Sequence, residues 1–183
     1  MKILAFAASN HPQSINQQLA LSVAKLLPQA QISSLELDDF DLPIYSERRE
    51  AELGTPPQVQ DFLQRISEAD GLIISFAEHN GTFTAAFKNL YDWASRTQRR
   101  IFQFKPALFL AAAPGAGGAK SVLKAAVESA PYMGASLAGA VSVAHFDKVF
   151  DQAHQQICDV TIFIALQQAV LSLQQLIMQQ QAA

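Results

Sequence analysis

The chain has 183 residues, half of them hydrophobic, and a net charge of −3. That length supports one domain over residues 1–183 with a full core, and the absence of a basic tract argues against nucleic-acid binding by phosphate neutralisation. Cys158 is the only cysteine, which excludes an internal disulfide, fits a reducing compartment, and reads as a buried small apolar residue.

Ile3–Ala7 is an apolar run that reads as a strand buried on both faces. It stops at Ser9-Asn10-His11-Pro12, too soon for the apolar stretch of a signal peptide. Ile15–Leu27 predicts a helix with Leu19, Val23, Leu26 and Leu27 on one face. The capping-box pattern Ser14-Ile15-Asn16-Gln17 opens it and Pro28 ends it. Gln31–Leu37 alternates loosely and reads as a second strand. Asp38–Pro57 is irregular and holds Leu42-Pro43-Ile44-Tyr45, the charged run Glu47-Arg48-Arg49-Glu50, and Gly54. Val59–Ser67 predicts a helix, Gly71–Phe76 the third strand, and Ala85–Ser95 the third helix. Pro106–Ala113 is an apolar strand, Ser121–Ser129 a helix, and Ser136–Ala144 the last strand. A long helix, Asp159–Gln179, closes the series. Its apolar part, Val160–Met178, is interrupted by Gln167, Gln168, Gln174 and Gln175, so a membrane span is not expected and a cytoplasmic location is.

Strands alternating with helices predict an α/β fold: a doubly wound five-stranded parallel sheet in a three-layer α/β/α sandwich. In the strand order 2-1-3-4-5, the first, third and fourth strands are neighbours. The loops that follow them then converge on one edge, where open α/β sheets bind ligands.

The first loop, Ser9-Asn10-His11-Pro12-Gln13-Ser14-Ile15-Asn16, opens a helix whose first turn offers unpaired N–H groups and a positive dipole end. Ser9, Asn10, Ser14 and Asn16 add donors, so the loop reads either as a phosphate cradle or as a plain helix cap made by Ser14. It carries neither a Gly-Lys-Ser/Thr phosphate loop nor a GxGxxG pattern. The second loop, Glu78-His79-Asn80-Gly81, reads as backbone that approaches a flat ring, or as a tight turn with His79 solvated. The third, Pro114-Gly115-Ala116-Gly117-Gly118, reads as backbone against a ligand, or as a flexible surface turn. His145 and His154 read as surface or packing residues. No His or Cys pair has metal spacing, so no metal is expected. Phe87, Tyr91, Trp93, Phe102 and Phe104 read as core or subunit interface.

These loops resemble the NADPH-dependent FMN reductase family, of flavodoxin-like fold. The resemblance lies in Ala8–Asn16, in Ala77-Glu78-His79-Asn80-Gly81-Thr82 with Lys88-Asn89 and Asp92-Trp93 after it, in Ala113–Gly118, and in Leu42-Pro43-Ile44-Tyr45. It spans about Met1 to Ala144. It implies that Ser9, His11, Ser14, Ile15 and Asn16 hold the FMN phosphate. It implies that Glu78, His79, Asn80 and Gly81 line the isoalloxazine ring, and that Pro114, Gly115, Ala116, Gly117 and Gly118 close on its pyrimidine side. The implied activity is that of an NAD(P)H-dependent oxidoreductase that passes electrons to a flavin, quinone, azo compound or similar small molecule. The chemistry rests on the flavin and no side chain is catalytic. A homodimer or homotetramer with Ala85–Ser95 at the contact is also implied. His11 stands where the family has arginine, and its conditional charge predicts weaker FMN retention above neutral pH. His79 stands where the family has tyrosine, and Ala77 and Thr84 where it has prolines. A non-catalytic FMN-binding protein or an electron carrier is the alternative reading.

Overall fold

In a computed structural model of the chain, Met1–Ala182 are described. The chain runs β1 (Lys2–Ala8), α1 (Ile15–Ala24), β2 (Gln31–Ser34), a 3-10 turn (Leu37–Phe40), α2 (Glu47–Leu53), α3 (Pro57–Glu68), β3 (Gly71–Phe76), β4 (Glu78–His79), β5 (Thr82–Phe83) and α4 (Ala85–Thr97). It continues with β6 (Pro106–Ala112), α5 (Lys120–Met133), β7 (Ser136–Val143), α6 (Phe146–Val149), β8 (Phe150–Asp151), β9 (Gln156–Ile157) and α7 (Val160–Gln181).

Five parallel strands form one sheet in the order β2-β1-β3-β6-β7. Counted along the chain without the short hairpins, this is the order expected from the sequence. Because side chains alternate along a strand, each central strand feeds two cores. Leu4, Phe6, Leu72, Ile74, Phe76, Ala107 and Phe109 meet the apolar faces of α3, α4 and α5 on one side. Ile3, Ala5, Ile73, Leu108 and Leu110 meet α1 and α7 on the other. A strand buried on both faces carries no polar alternation, which is why these runs are continuous in the sequence.

Several sequence expectations are corrected. The second strand is only four residues long and exposed at the sheet edge; its pairing with β1 ends at Ser34, and the buried Leu35 and Leu37 lie beyond it, Leu37 opening the 3-10 turn. The first helix ends at Ala24, and the turns before Pro28 tighten through Leu26 N–H to Val23 and Leu27 N–H to Ala24. The segment expected to be irregular contains α2, which buries no residue. It is held instead by its Ser46 cap and by Glu50, which accepts from Tyr45 Oη at 2.8 Å and pairs with Arg96 at 3.1 Å. Cys158 is exposed: Ile157 takes the inward position and the next residue faces out. Phe87, Trp93 and Phe102 are core residues, whereas Phe104 is 61% exposed.

By length and mean hydropathy (1.6), α7 is apolar enough to cross a membrane, despite its glutamines. Here it lies along the sheet with Leu166, Val170, Leu173 and Ile177 buried, and it leaves Val160, Ile164, Leu171 and Met178 exposed.

Candidate functional site

The loop after β1 delivers α1 to the carboxyl edge of the sheet. Ser14 caps the helix, its Oγ accepting from Asn16 N–H at 3.2 Å. The reciprocal half of the expected capping box is absent. Ser14 N–H donates instead to His11 O, and Gln17 Oε1 accepts from Ala7 N–H at 2.6 Å. Asn16 is buried and acts as a bracket. Its Oδ1 accepts from Ala112 N–H at 2.9 Å and Ser75 Oγ at 2.7 Å, while its Nδ2 donates to Ala112 O at 3.3 Å. Gln17 Nε2 also donates to Leu35 O and Glu36 Oε1. Two adjacent amides therefore anchor the first turn of α1 to the sheet: Asn16 to β3 and β6, Gln17 to β1 and to the residues just after β2.

With those side chains engaged, what α1 offers outward is backbone. Among the described residues, the N–H groups of Ile15 and Gln17 have no partner in the chain, as expected of a first helical turn. Ser9 Oγ accepts from His11 N–H at 3.3 Å, and His11 Nδ1 accepts from Gln13 N–H at 3.0 Å. These bonds fold the loop back on itself, while Asn10 to Gln13 stay exposed. Glu36 is an exposed residue, yet partial desolvation, then the charge of Asp39, pushes its carboxyl above its ordinary range in spite of the bond from Gln17.

The second loop is a hairpin, more than the tight turn expected from the sequence. β4 and β5 pair antiparallel, Glu78 opposite Phe83 and His79 opposite Thr82. Asn80 (φ 52°) and Gly81 (φ 80°) form the two-residue connection. Positive φ at both central residues is what a type I′ hairpin turn requires, and Asn-Gly meets it at least cost. The hairpin's exit is fixed by Thr84, buried, whose Oγ1 donates to Ala8 O at 3.0 Å and accepts from Phe87 N–H. The Glu78 carboxylate turns toward α5 and accepts from Val122 N–H at 2.9 Å. His79, Asn80 and Gly81 form an exposed tip.

The third loop is latched onto the end of β7. Ser142 Oγ donates to Gly118 O at 2.6 Å, and Gly115 O accepts from both Gly118 N–H and His145 N–H. Gly118 has φ +60°, and a Cβ there would meet Ser142 Oγ at 2.5 Å and Ala144 N at 3.1 Å, so only glycine lets the loop close on β7. Gly115 and Gly117 are different: nothing lies within 4 Å of where their Cβ atoms would sit. Their backbone faces open space that a side chain would fill.

The predicted residues are thus brought to one edge, some with their side chains engaged within the chain and some open. Ser9, Ser14 and Asn16 are buried supports and Glu78 is tied to α5, whereas Ile15 N–H, the Asn80-Gly81 tip and Pro114–Gly117 remain available. Ser75, Thr84, Gln17 and Ser142 were missed. Ser75 had a signal, as a hydroxyl inside an otherwise apolar buried strand must have a partner. The tips of all three loops are exposed, so the edge is an open ledge. Beside it, a cavity of about 580 Å³ runs along α1 from Pro12, Gln13 and Ser14 to Lys25, and one of about 230 Å³ lies between Asn10, Leu42 and the start of α4.

The donor set fits FMN. A helix N-terminus with open N–H groups and a positive dipole end suits a phosphate, and backbone with no side chain suits a flat ring. The cradle supplies neutral donors and His11 where an arginine could have stood.

Residues 1–148 match the sequence profile of the family described as NADPH-dependent FMN reductase. The NAD(P)H-dependent FMN reductase of Pseudomonas aeruginosa is 35% identical over 119 residues, which make up 64% of this chain and 63% of that protein. The 2-hydroxy-1,4-benzoquinone reductase of a Burkholderia species is 34% identical over 122 residues, again 64% and 63%. The match therefore spans less than two thirds of the length of these curated relatives. Among solved structures, the flavoenzyme NAD(P)H:(acceptor) oxidoreductase of Paracoccus denitrificans has a TM-score of 0.74 at 22% identity, covering 94% of this chain and 95% of that one. An azoreductase of Bacillus anthracis has a TM-score of 0.60 at 18% identity, covering 95% and 99%. At these identities the likeness is one of fold.

Proposed function

The chain belongs to the NADPH-dependent FMN reductase family, and from that premise we propose that it is an FMN-dependent NAD(P)H oxidoreductase acting on a small acceptor of the quinone, flavin or azo class. The observation that supports this most is the meeting, at one sheet edge, of the open first turn of α1, the Asn80-Gly81 tip and the side-chain-free backbone of Gly115 and Gly117. The chemistry FMN would supply when bound is hydride and electron transfer between NAD(P)H and an acceptor. The chain binds and orients. Ile15 and Gln17 N–H groups, with Ser9, His11 and Ser14 shaping the loop, would hold the phosphate. Asn80, Gly81 and Pro114–Gly118 would line the ring, their N–H groups available to the charge that builds on its carbonyl edge. No side chain in these loops is needed as an acid or base.

A homo-oligomer belongs to the same reading. A bound ligand of this size is normally buried over most of its surface, and the ledge of one chain is open. A second copy docked along the exposed loop tips and α4 would supply the missing wall. We also read residues 1–183 as a single domain, and the cytoplasm, which supplies NAD(P)H, as its compartment.

The test is direct. Purified protein reconstituted with FMN is expected to be yellow, absorbing at about 450 nm as flavins do, and to bleach rapidly on anaerobic addition of NADPH or NADH. A bound flavin that stays oxidised would favour the electron-carrier or binding-module reading. No FMN uptake would remove the cofactor from the proposal.

A further inference from the structure

Helix α5 starts without a local cap. Ala119 occupies the cap position in a left-handed conformation (φ 54°, ψ 37°) and makes no side-chain cap bond. A first helical turn presents N–H groups that a Ser, Thr, Asp or Asn at this position ordinarily answers at the second or third residue. Here the acceptor comes from 44 residues away: Glu78 Oε2 receives Val122 N–H, the third residue of the helix, at 2.9 Å. A carboxylate at the positive end of a helix is favoured both by the dipole and by charge-assisted hydrogen bonding.

The same residue opens the β4–β5 hairpin. Two paired residues on each side do not make a stable hairpin alone, so this one is held from outside. Thr84 ties its exit to Ala8 O. Phe83 packs against Phe76 and Phe87, with ring centroids 5.7 and 5.5 Å apart. Glu78 ties its entrance to α5, the helix into which the Pro114–Gly118 loop runs. The hydrogen bond therefore joins two of the three loops of the ledge, which have no other side-chain bond between them among the described residues.

We propose that Glu78 is a positioning residue: as the distant cap of α5, its carboxylate sets the gap between the Asn80-Gly81 tip and the Pro114–Gly118 loop. The consequence for a flavin ring rests on the proposed function; the tether itself does not. It assigns the Glu78 side chain to the wall of the site and leaves only its backbone to face a ligand.

The experiment uses the full chain carrying Glu78→Ala or Glu78→Gln, the second retaining an oxygen in place without the charge and serving should the first fail to fold. Amide hydrogen exchange on cofactor-free protein is the primary readout. Loss of the bond is expected to speed exchange at Val122 by about tenfold or more, and exchange in residues 79–83 is expected to rise with it, with Glu78→Gln intermediate. FMN titration is then expected to give a Kd raised by about tenfold in Glu78→Ala and partly restored in Glu78→Gln, with an altered bound-flavin spectrum. Unchanged exchange at Val122 would overturn the tether. Faster exchange in α5 with an unaltered hairpin would reduce Glu78 to a cap and overturn the positioning role, as would FMN affinity and spectrum that ignore a loosened hairpin. If the wild-type chain takes up no FMN, the flavin reading fails, and the exchange data still decide for or against the tether.

Discussion

Replacing Asn16 by alanine tests whether its amide supports the site or faces the ligand. The side chain is 3% exposed, and Ser75 and Ala112, which it joins, are 0% and 3% exposed. Truncation strands Ala112 N–H, which now donates at 2.9 Å, and removes the acceptor of Ser75 Oγ at 2.7 Å. The contact to Ala112 O, at 3.3 Å, is long and carries less. A buried group left unpaired costs about 1–3 kcal/mol, and a hydroxyl that can rotate toward another acceptor stands at the low end. Together these give a loss of about 3 kcal/mol. For a chain of this size that is a drop in Tm of roughly 6–12 °C, or of about 1.5 M in the urea midpoint with a slope near 2 kcal/mol per M. The assay is urea and thermal unfolding of cofactor-free protein, with FMN titration alongside. A variant within about 0.5 kcal/mol of wild type, the usual scatter for a neutral substitution, whose FMN affinity has nonetheless collapsed would refute the bracket and return Asn16 to the ligand.

Three further substitutions separate roles within the same edge. Gly118→Ala is expected to cost about 2–3 kcal/mol, from a left-handed residue with a Cβ and from the displaced bond to Ser142, seen as a lower unfolding midpoint; an unchanged midpoint would contradict the latch. Gly115→Ala, with open space at its Cβ and no positive φ, is expected to leave stability within about 0.5 kcal/mol while weakening FMN binding. Equal FMN affinity there would mean that the loop does not approach the ligand. Glu36→Gln tests the raised carboxyl, whose cause is burial first and Asp39 second. A raised folded pKa means that the ionised form is disfavoured in the native state. The cost is therefore full above the folded pKa and absent below the unfolded value of about 4.3. The variant is expected to melt higher than wild type at pH 7, the advantage fading as the pH falls toward 4. A lower Tm at pH 7 would show that the bond from Gln17 outweighs the burial.

The legible parts of this fold are the ones whose physics is local. β3 is read at its true limits, Gly71–Phe76, and β6 within a residue, because a strand buried on both faces must be apolar throughout; β7, a half-buried edge strand, is also read within a residue. α2 escaped for the opposite reason. It buries nothing, so no apolar period marks it, and its supports, Tyr45, Glu50 and Arg96, are separated by up to 51 residues in sequence. β4 and β5 are too short for alternation to register, although Asn80-Gly81 between them is the strongest two-residue hairpin signal available.

The loops teach a narrower lesson about polar residues near a site. Asn16 and Glu78 were expected at the cofactor from the family resemblance, and Ser14 was expected either there or as a plain helix cap. Yet the carboxyl ends of β3 and β6, and the starts of α1 and α5, carry backbone groups of their own that must be bonded once buried. Those demands come first. Asn16 answers Ala112 across 96 residues and Glu78 answers Val122 across 44, distances that no linear pattern shows, whereas Ser14 answers Asn16 two residues on, as the plain helix cap that the sequence allowed. On the proposed function, a ligand would meet the backbone that no side chain has claimed: Ile15 and Gln17 N–H, the Asn80-Gly81 tip, and the open faces of Gly115 and Gly117. A site made this way would tolerate changes in the side chains at its rim, such as the exposed His79, better than changes in the buried amides and hydroxyls behind it. The contrast between Gly115→Ala and Asn16→Ala puts that ordering to measurement: the first should lose ligand and keep stability, the second should lose stability first.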